Sequence, residues 1–471
     1  MGGVAAGLSA ASAVKRARPE VEVVVYEKSP HVSYASCGIP YYVSGVVTRL
    51  PVALTVEQLR DDRGIDVKTE HEVVEVDVGA RRVTVVDLRS GRRFTDNFDA
   101  LLLATGAAPK VPPVEGVDLD GVHLVRSLAS GIALREDITS RRPKNAMVVG
   151  GGYVGCEMAE SLAGTGASVR LVEFADRLLG TVDDAASQLV AEHLAASGVE
   201  VHLNAAVRAL LPGDDGRVAA ADTTAGRFDA DLVILSTGVR PVVDLARGAG
   251  VALGRTGGIA VNHHQQTNFP NVYAAGDCCE AFHLVTRTWE WVPLGTTANK
   301  QGRVAGRHLV DGRASFPGIV GTAVTKVFDL HVARTGLSVR DCAARKIPVE
   351  STTIKHHSRA EYYPGNSEVV VVLNWSPKDG RLLGGVVVGR EGVAKRVDVL
   401  AAALHAGWTV YDLQALDASY APPVSPVWDP LLVAANVAAK QATKRTGPPA
   451  GAAPKSPRTG PPEPPPAPSR G

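Results

Sequence analysis

Residues 146–174 read AMVVGGGYVGCEMAESLAGTGASVRLVEF, and the fold follows from how this stretch is built. A short apolar run from Ala146 to Val149 meets the glycine turn Gly150-Gly151-Gly152-Tyr153-Val154-Gly155. A span of helical length follows, and then a second strand-like run, Ser168 to Val172, which closes on Glu173. Strand, tight turn, helix and strand make a βαβ unit. Its glycines permit the turn, the close approach of backbone to a pyrophosphate and the packing of helix on strand. The helix N-terminus then offers free N–H groups to phosphate oxygens. Glu173 stands eighteen residues beyond Gly155, where a carboxylate accepts from a ribose 2′-OH. A glycine motif alone is weak. In this setting it predicts a dinucleotide site, with the acid favouring NADH and Arg177 leaving NADPH open.

Outward from this unit, the same device recurs at the N-terminus. Gly2-Gly3-Val4-Ala5-Ala6-Gly7 keeps the outer glycines but has Val4 in the middle position, and a helix is expected over Gly7 to Arg18. VEVVVY, Val21 to Tyr26, is a buried-strand run that ends at Glu27, twenty residues after Gly7. A parallel sheet would carry a further strand ahead of Gly2, so the expected start of the protein lies upstream, with Met1 an internal valine codon read as an initiator. A third nucleotide element is TNFPNVYAAGD, Thr267 to Asp277, in which a strand delivers a carboxylate to the carboxyl end of a sheet. Leu101–Leu103 and Leu232–Leu235 are short strands that close on the pairs Thr105-Gly106 and Thr237-Gly238.

The chain of 471 residues has room for about three domains. Lys plus Arg number 50 and Asp plus Glu 49, a balance that gives no support to a nucleic-acid or membrane-surface role. No apolar run reaches the ~18 residues of a membrane helix, so no membrane insertion is expected. The apolar start differs from a secretory signal, because Lys15 and Arg16 follow the apolar part. Five cysteines, Cys37, Cys156, Cys278, Cys279 and Cys342, have no CxxC and no regular spacing. They predict no disulfide framework, no metal site and a reducing, cytoplasmic setting. Cys156, Cys278 and Cys279 read as packing residues and Cys342 as a surface helix residue. From about Gly318 the pattern turns to strands and turns, with a helix around Ala394–Ala406. After Gln441 the chain is Pro-rich, with ten prolines in its last 31 residues, and is expected to be disordered.

Taken with SYASCGIPY, Ser33 to Tyr41, these motifs resemble the single-cysteine branch of the pyridine nucleotide-disulfide oxidoreductases, over nearly everything except the tail. That branch contains coenzyme A-disulfide reductases, CoA-persulfide reductases and NADH oxidases. The two-cysteine relatives carry CxxxxC, and here Val32 stands five before Cys37. The resemblance implies an α/β fold with two Rossmann-like domains plus a C-terminal α+β dimerisation domain. FAD would be held by residues 1–110 and 241–315, NAD(P)H by 111–240, and a homodimer formed through 316–440, with 441–471 a free tail. It implies FAD on Gly2, Gly3, Val4, Ala5, Ala6, Gly7, Glu27, Lys28, Val73, Thr105, Gly106, Gly276 and Asp277. NAD(P)H would lie on Gly150, Gly152, Tyr153, Val154, Gly155, Glu157, Glu173 and Gly238, with Glu157 orienting the nicotinamide.

Cys37 is implied as the redox-active thiol at a helix start, a setting in which a thiol's pKa falls. Ser9, Arg16, Ser33 and Lys68 fall where the CoA-disulfide reductases contact CoA. Tyr362 and Tyr420 correspond to tyrosines sent to the partner subunit's cysteine. The implied reaction passes hydride from NADH to FAD and on to a Cys37–CoA disulfide, with CoA disulfide or a CoA persulfide or polysulfide as substrate. Ala5 stands where the oxidases carry a histidine beside the cysteine. That departure weighs against the alternative of an NADH oxidase working through a Cys37 sulfenic acid. A flavoprotein electron carrier or redox sensor is the second alternative. Asn299 and Trp428 stand where some relatives have His and Lys.

Overall fold

A computed structural model describes residues 1–446. The 146–174 stretch folds as read, into strand Asn145–Val149, helix Tyr153–Ala163 and strand Ser168–Val172. These strands centre a five-stranded parallel sheet, flanked by Val199–His202 on one side and by Leu232–Leu235 and then Val122–Leu124 on the other. Both faces of a parallel sheet are covered, which is why its strands are apolar runs rather than alternating ones. Val148, Leu171 and Ile234 are fully buried there. A Cβ on Gly155 would lie 1.9 Å from the Gly150 carbonyl oxygen, and one on Gly7 equally close to that of Gly2. Each turn therefore closes onto its helix only because no side chain intervenes.

The first nucleotide unit has helix Ala5–Ala17, strand Val24–Glu27 paired in parallel with Asp66–Thr69, and strand Leu101–Leu103 paired in parallel with Val272–Ala274. Met1 and Gly2 lie between the two pairs. The Met1 amine donates to Leu102 O at 2.8 Å, Ala104 N donates to Met1 O at 3.0 Å, and Gly2 N donates to Tyr26 O at 2.8 Å. The first strand is shorter than the VEVVVY run, because Val21 is exposed and turns back to bond Arg18 O. Helix Gly295–Asp311 crosses helix Ala5–Ala17 at the small residues Gly302 and Gly306, where an added Cβ would run into the backbone of Ala6 and Ala10.

The C-terminal unit is a five-stranded antiparallel sheet in the order Ala323–Val327, Leu330–Gly336, Leu382–Gly389, Glu368–Trp375, Glu350–His357. Helices Val393–Ala406 and Pro430–Thr446 bury Leu400, Ala434 and Ala438 in one core with Trp375, the α+β arrangement expected. Two expectations are corrected here. The last helix runs past the boundary at 441, because Gln441 accepts from Thr352 Oγ1 at 2.6 Å, Ala442 is buried and Arg445 pairs with Glu350 at 2.6 Å. The remainder of the Pro-rich tail lies outside the described residues. Cys342 is fully buried rather than on the surface, and burial pushes its thiol up to about 11.

Candidate active site

Cys37 sits on a single 3-10 turn, Ser36–Gly38, which leads into the short helix Ile39–Val43. The turn is fixed from both sides. Ala35 N donates to Pro51 O at 2.8 Å, and Ser161 Oγ, on the Tyr153–Ala163 helix, donates to Pro40 O at 2.9 Å. Arg135 donates to Tyr42 O at 2.9 Å, and its guanidinium lies 4.3 Å from the centre of the Tyr42 ring. All five cysteines are free thiols, and only Cys37 is exposed.

A thiol at a helix start is expected to have a lowered pKa, and here the net shift runs the other way. The protein around it, and then the charge of Glu157, push the pKa above the usual thiol value, and Arg126 opposes them. Glu157 accepts from Thr325 Oγ1 at 2.7 Å, and its own carboxyl is raised by burial. One turn on, Glu160 pairs with Lys326 and accepts from Phe328 N at 2.9 Å. Burial, with Glu157 and Glu160 close by, pushes the Tyr41 phenol up to about 12. A strand of the C-terminal sheet thus reaches the dinucleotide helix through Thr325 and Lys326, on the same helix whose Ser161 holds the cysteine segment.

At the first glycine turn, Glu27 accepts from Gly3 N at 2.7 Å and from Ser29 N at 2.8 Å, which fixes its carboxylate against that turn. No side chain caps helix Ala5–Ala17, whereas Thr55, Ser127, Ser338 and Thr409 each cap their helix through a capping box. The uncapped N–H groups suit an anionic pyrophosphate. Asp277 pairs with Arg126 at 2.8 Å and its carbonyl accepts from Trp291 Nε1, while Gly276 N donates to Gln301 Oε1 at 2.9 Å. Thr105 Oγ1 donates to Val242 O at 2.6 Å, and Gly106 O accepts from Val242 N at 3.0 Å. Ala6 is packed against Ala275 and Ala298, with Ala5 beside it. The glycine turn, the two carboxylates and the free amides fit a dinucleotide such as FAD. The side chain of Val73 is buried in the sheet core beside Val85, and Lys28 is exposed, 3.9 Å from Glu72.

Gly150, Gly152, Glu173, Thr237 and Gly238 line a second cavity of ≈ 840 Å³. Glu173 accepts from Gly151 N at 2.5 Å and from Ala175 N at 2.7 Å, repeating the geometry of Glu27. Gly152 opens the Tyr153–Ala163 helix without a side-chain cap; Val154 is exposed in its first turn, and Tyr153 OH lies 3.3 Å from Thr181 Oγ1. The four residues expected at CoA are not bonded to one another. Ser9 donates to Asn299 at 2.7 Å, Arg16 to Ser12 O at 3.0 Å, and Lys68 pairs with Asp66 at 2.9 Å. Ser33, in the left-handed region at φ 53°, donates to Gly3 O at 2.9 Å and so abuts the first glycine turn. Tyr362 and Tyr420 are 76% and 48% exposed, and the neighbouring Tyr362 raises the Tyr420 phenol. Val424, Val427 and Trp428 are exposed on the segment that follows. Among the described residues no cluster of three or more His, Cys, Asp or Glu could hold a metal ion, and no helix is long and apolar enough to cross a membrane.

Arg126, Thr325, Lys326 and Glu160 escaped the sequence reading. The available signal was a charged residue in a strand context, Arg126 directly after His123-Leu124-Val125 and Lys326 between Thr325 and Val327.

Two dinucleotide folds meeting at an exposed thiol, with a third unit reaching in, define a nicotinamide-linked thiol oxidoreductase. Residues 1–302 match the family described as pyridine nucleotide-disulphide oxidoreductase and residues 322–430 match its dimerisation domain, so the chain belongs to this FAD-dependent family. A protein named NAD(P)H coenzyme A polysulfide/persulfide reductase from Pyrococcus horikoshii is 40% identical over 443 residues, 93% of this chain and 97% of that one. A protein named NADH oxidase from Methanocaldococcus jannaschii is 36% identical over 448 residues, 94% of this chain and 99% of that one. The solved NAD-dependent persulfide reductase from A. fulgidus superposes with a TM-score of 0.90 at 35% identity, covering 95% of this chain and 83% of that one.

Proposed function

We propose that the protein is an NAD(P)H-dependent reductase of CoA disulfide or CoA persulfide, with Cys37 as its redox-active thiol. The observation that carries the reading is the exposure of Cys37 alone among five free thiols, on a turn bonded to the dinucleotide helix. FAD, held by residues 1–110 and 241–315, supplies when bound a two-electron relay between reduced nicotinamide and sulfur. Cys37 Sγ, as the thiolate, attacks the CoA-bearing sulfur. The S–S bond of the substrate breaks, CoA thiolate or sulfide leaves with the bonding pair, and Cys37 is left in a disulfide with CoA. Glu157, its carboxyl raised by burial and its charge felt at Cys37, holds a proton while the thiolate forms. Tyr362 and Tyr420, both exposed, donate to the leaving sulfur of the partner subunit's site in a homodimer built on 316–440. Ser9, Arg16, Ser33 and Lys68 line the approach of CoA. NAD(P)H occupies 111–240, on Gly150, Gly152, Gly155, Glu173 and Gly238, with Glu157 under the nicotinamide. Five unpaired thiols suit a reducing compartment, and we assign the protein to the cytoplasm.

The test is the intact mass of the purified, non-reduced protein, with and without dithiothreitol. The reading requires a reducible adduct of CoA mass that is absent from Cys37→Ser. A Cys37 that is bare or carries oxygen, with oxygen as the acceptor that accelerates NADH consumption, refutes it in favour of an oxidase.

A further inference from the structure

The cavity assigned above to NAD(P)H has two arginines on its wall, in opposite electrostatic situations. Arg177 follows Glu173 closely in sequence, but it is held in place. Its guanidinium pairs with Asp184 and donates to Gly180 O at 2.9 Å, and its side chain is only 10% exposed. Arg208, on strand Val207–Pro212, lines the same cavity, is exposed, and among the described residues makes no hydrogen bond or ion pair. Glu173, which lines the same cavity, has one oxygen on Gly151 N and the other on Ala175 N. Its charge is therefore partly matched by backbone dipoles before any nucleotide arrives. Phe174, the next residue, is 80% exposed on the same wall. A ring left in water beside a nucleotide cleft is a ready stacking surface.

We propose that Arg208, rather than Arg177, reads the 2′ substituent of the bound nucleotide, and that Phe174 is the plate against which its adenine lies. A guanidinium with no partner forms charge-assisted hydrogen bonds to a phosphate without first giving up a carboxylate, as Arg177 would have to. The cleft therefore takes a 2′-phosphate as well as a 2′-hydroxyl, and the enzyme uses NADPH as well as NADH. This inference rests on the assignment of the cavity to a pyridine nucleotide.

The test is calorimetric titration of the full holoprotein with 2′,5′-ADP and with 5′-AMP, in the wild type and in Arg208→Gln, Arg177→Gln and Phe174→Ala. Arg208→Gln is expected to weaken 2′,5′-ADP by about tenfold or more and 5′-AMP by less than about twofold, and to raise KM for NADPH relative to NADH by the same factor. Phe174→Ala is expected to weaken both nucleotides alike. Both side chains are exposed, and retained 5′-AMP binding certifies the fold of Arg208→Gln. A larger loss of 2′,5′-ADP in Arg177→Gln than in Arg208→Gln overturns the proposal, as does a wild type that binds 5′-AMP but not 2′,5′-ADP. A wild type that binds neither nucleotide and oxidises no NADH overturns the assignment of the cavity itself.

Discussion

Replacing Gly302 by alanine tests how the flavin unit is held together. Gly302 lies inside helix Gly295–Asp311 where that helix crosses Ala5–Ala17. An added Cβ would sit 2.1 Å from Ala6 O, 2.8 Å from Ala6 C and 2.9 Å from Ala6 Cα. These are backbone atoms with no rotamer to escape into, and ordinary contact begins at 3.4 Å, so the helices have to part by about 1.3 Å. The first helix is not free to follow, because Gly2 is bonded to Tyr26 O and Gly3 to Glu27 just ahead of it. Overpacking of this kind costs ~1–3 kcal/mol, and at roughly 2–4 °C per kcal/mol the expected fall in Tm is about 2–12 °C. The same displacement disturbs the first glycine turn, so the flavin-to-protein absorbance ratio falls too. Gly295→Ala is the control. A Cβ there meets nothing within 4 Å, and the helix gains up to about 1 kcal/mol of intrinsic propensity. The assay is thermal unfolding followed by flavin fluorescence and far-UV dichroism. A Gly302→Ala protein with wild-type Tm and full flavin content would falsify the packing argument.

His283 is buried and neutral, its Nδ1 accepting from Val285 N at 3.3 Å and Thr286 N at 3.4 Å, and burial lowers its pKa from 6.5 to about 4. The unfolded chain binds the proton first, so stability present above pH 6.5 is lost as pH falls toward 4, by at most about 3 kcal/mol; urea melts across this window in wild type and His283→Gln measure it. Arg396, with its side chain 8% exposed, pairs with Asp429 at 2.9 Å and donates to Ser358 O at 2.9 Å. Arg396→Met leaves a buried carboxylate without its cation and is expected to cost ~3–5 kcal/mol in urea unfolding, part of which Asp429→Asn restores in the double variant. If Tyr420 donates to the departing sulfur, Tyr420→Phe lowers turnover of the CoA substrate by roughly tenfold or more and leaves anaerobic flavin reduction by NADH unchanged in stopped flow. A parallel drop in both rates contradicts that role.

Local chemistry was legible in the sequence where a backbone constraint forces a residue type. The glycine turns at Gly150–Gly155 and Gly2–Gly7, and the acids Glu27 and Glu173 that close their strands, are of this kind, because turn geometry and strand length set their spacing. Pairings across domains left no such imprint. Arg126 meets Asp277 from 151 positions away, and Thr325 meets Glu157 from 168, distances set by topology rather than by any local pattern. Cys342 misled because its neighbours Arg340, Asp341 and Arg345 are charged, yet in the one-and-a-half-turn helix Val339–Ala344 its own side faces the core. The helix past Gln441 misled for the opposite reason. Its alanines and short polar residues carry little amphipathic signal, and what holds it is Thr352 and Glu350 on a distant strand.

The helix Tyr153–Ala163 touches all three units within eleven residues: its glycine turn faces one cavity, Ser161 holds the cysteine segment at Pro40, and Glu157 and Glu160 receive Thr325 and Lys326. The consequence is for recombination. A nucleotide module grafted from a relative would bring its own version of that helix and face foreign residues at 40, 325 and 326. Chimaeras cut at the domain borders should therefore be inherited poorly unless those three positions travel with the insert, and shuffled libraries should recover them as a linked set.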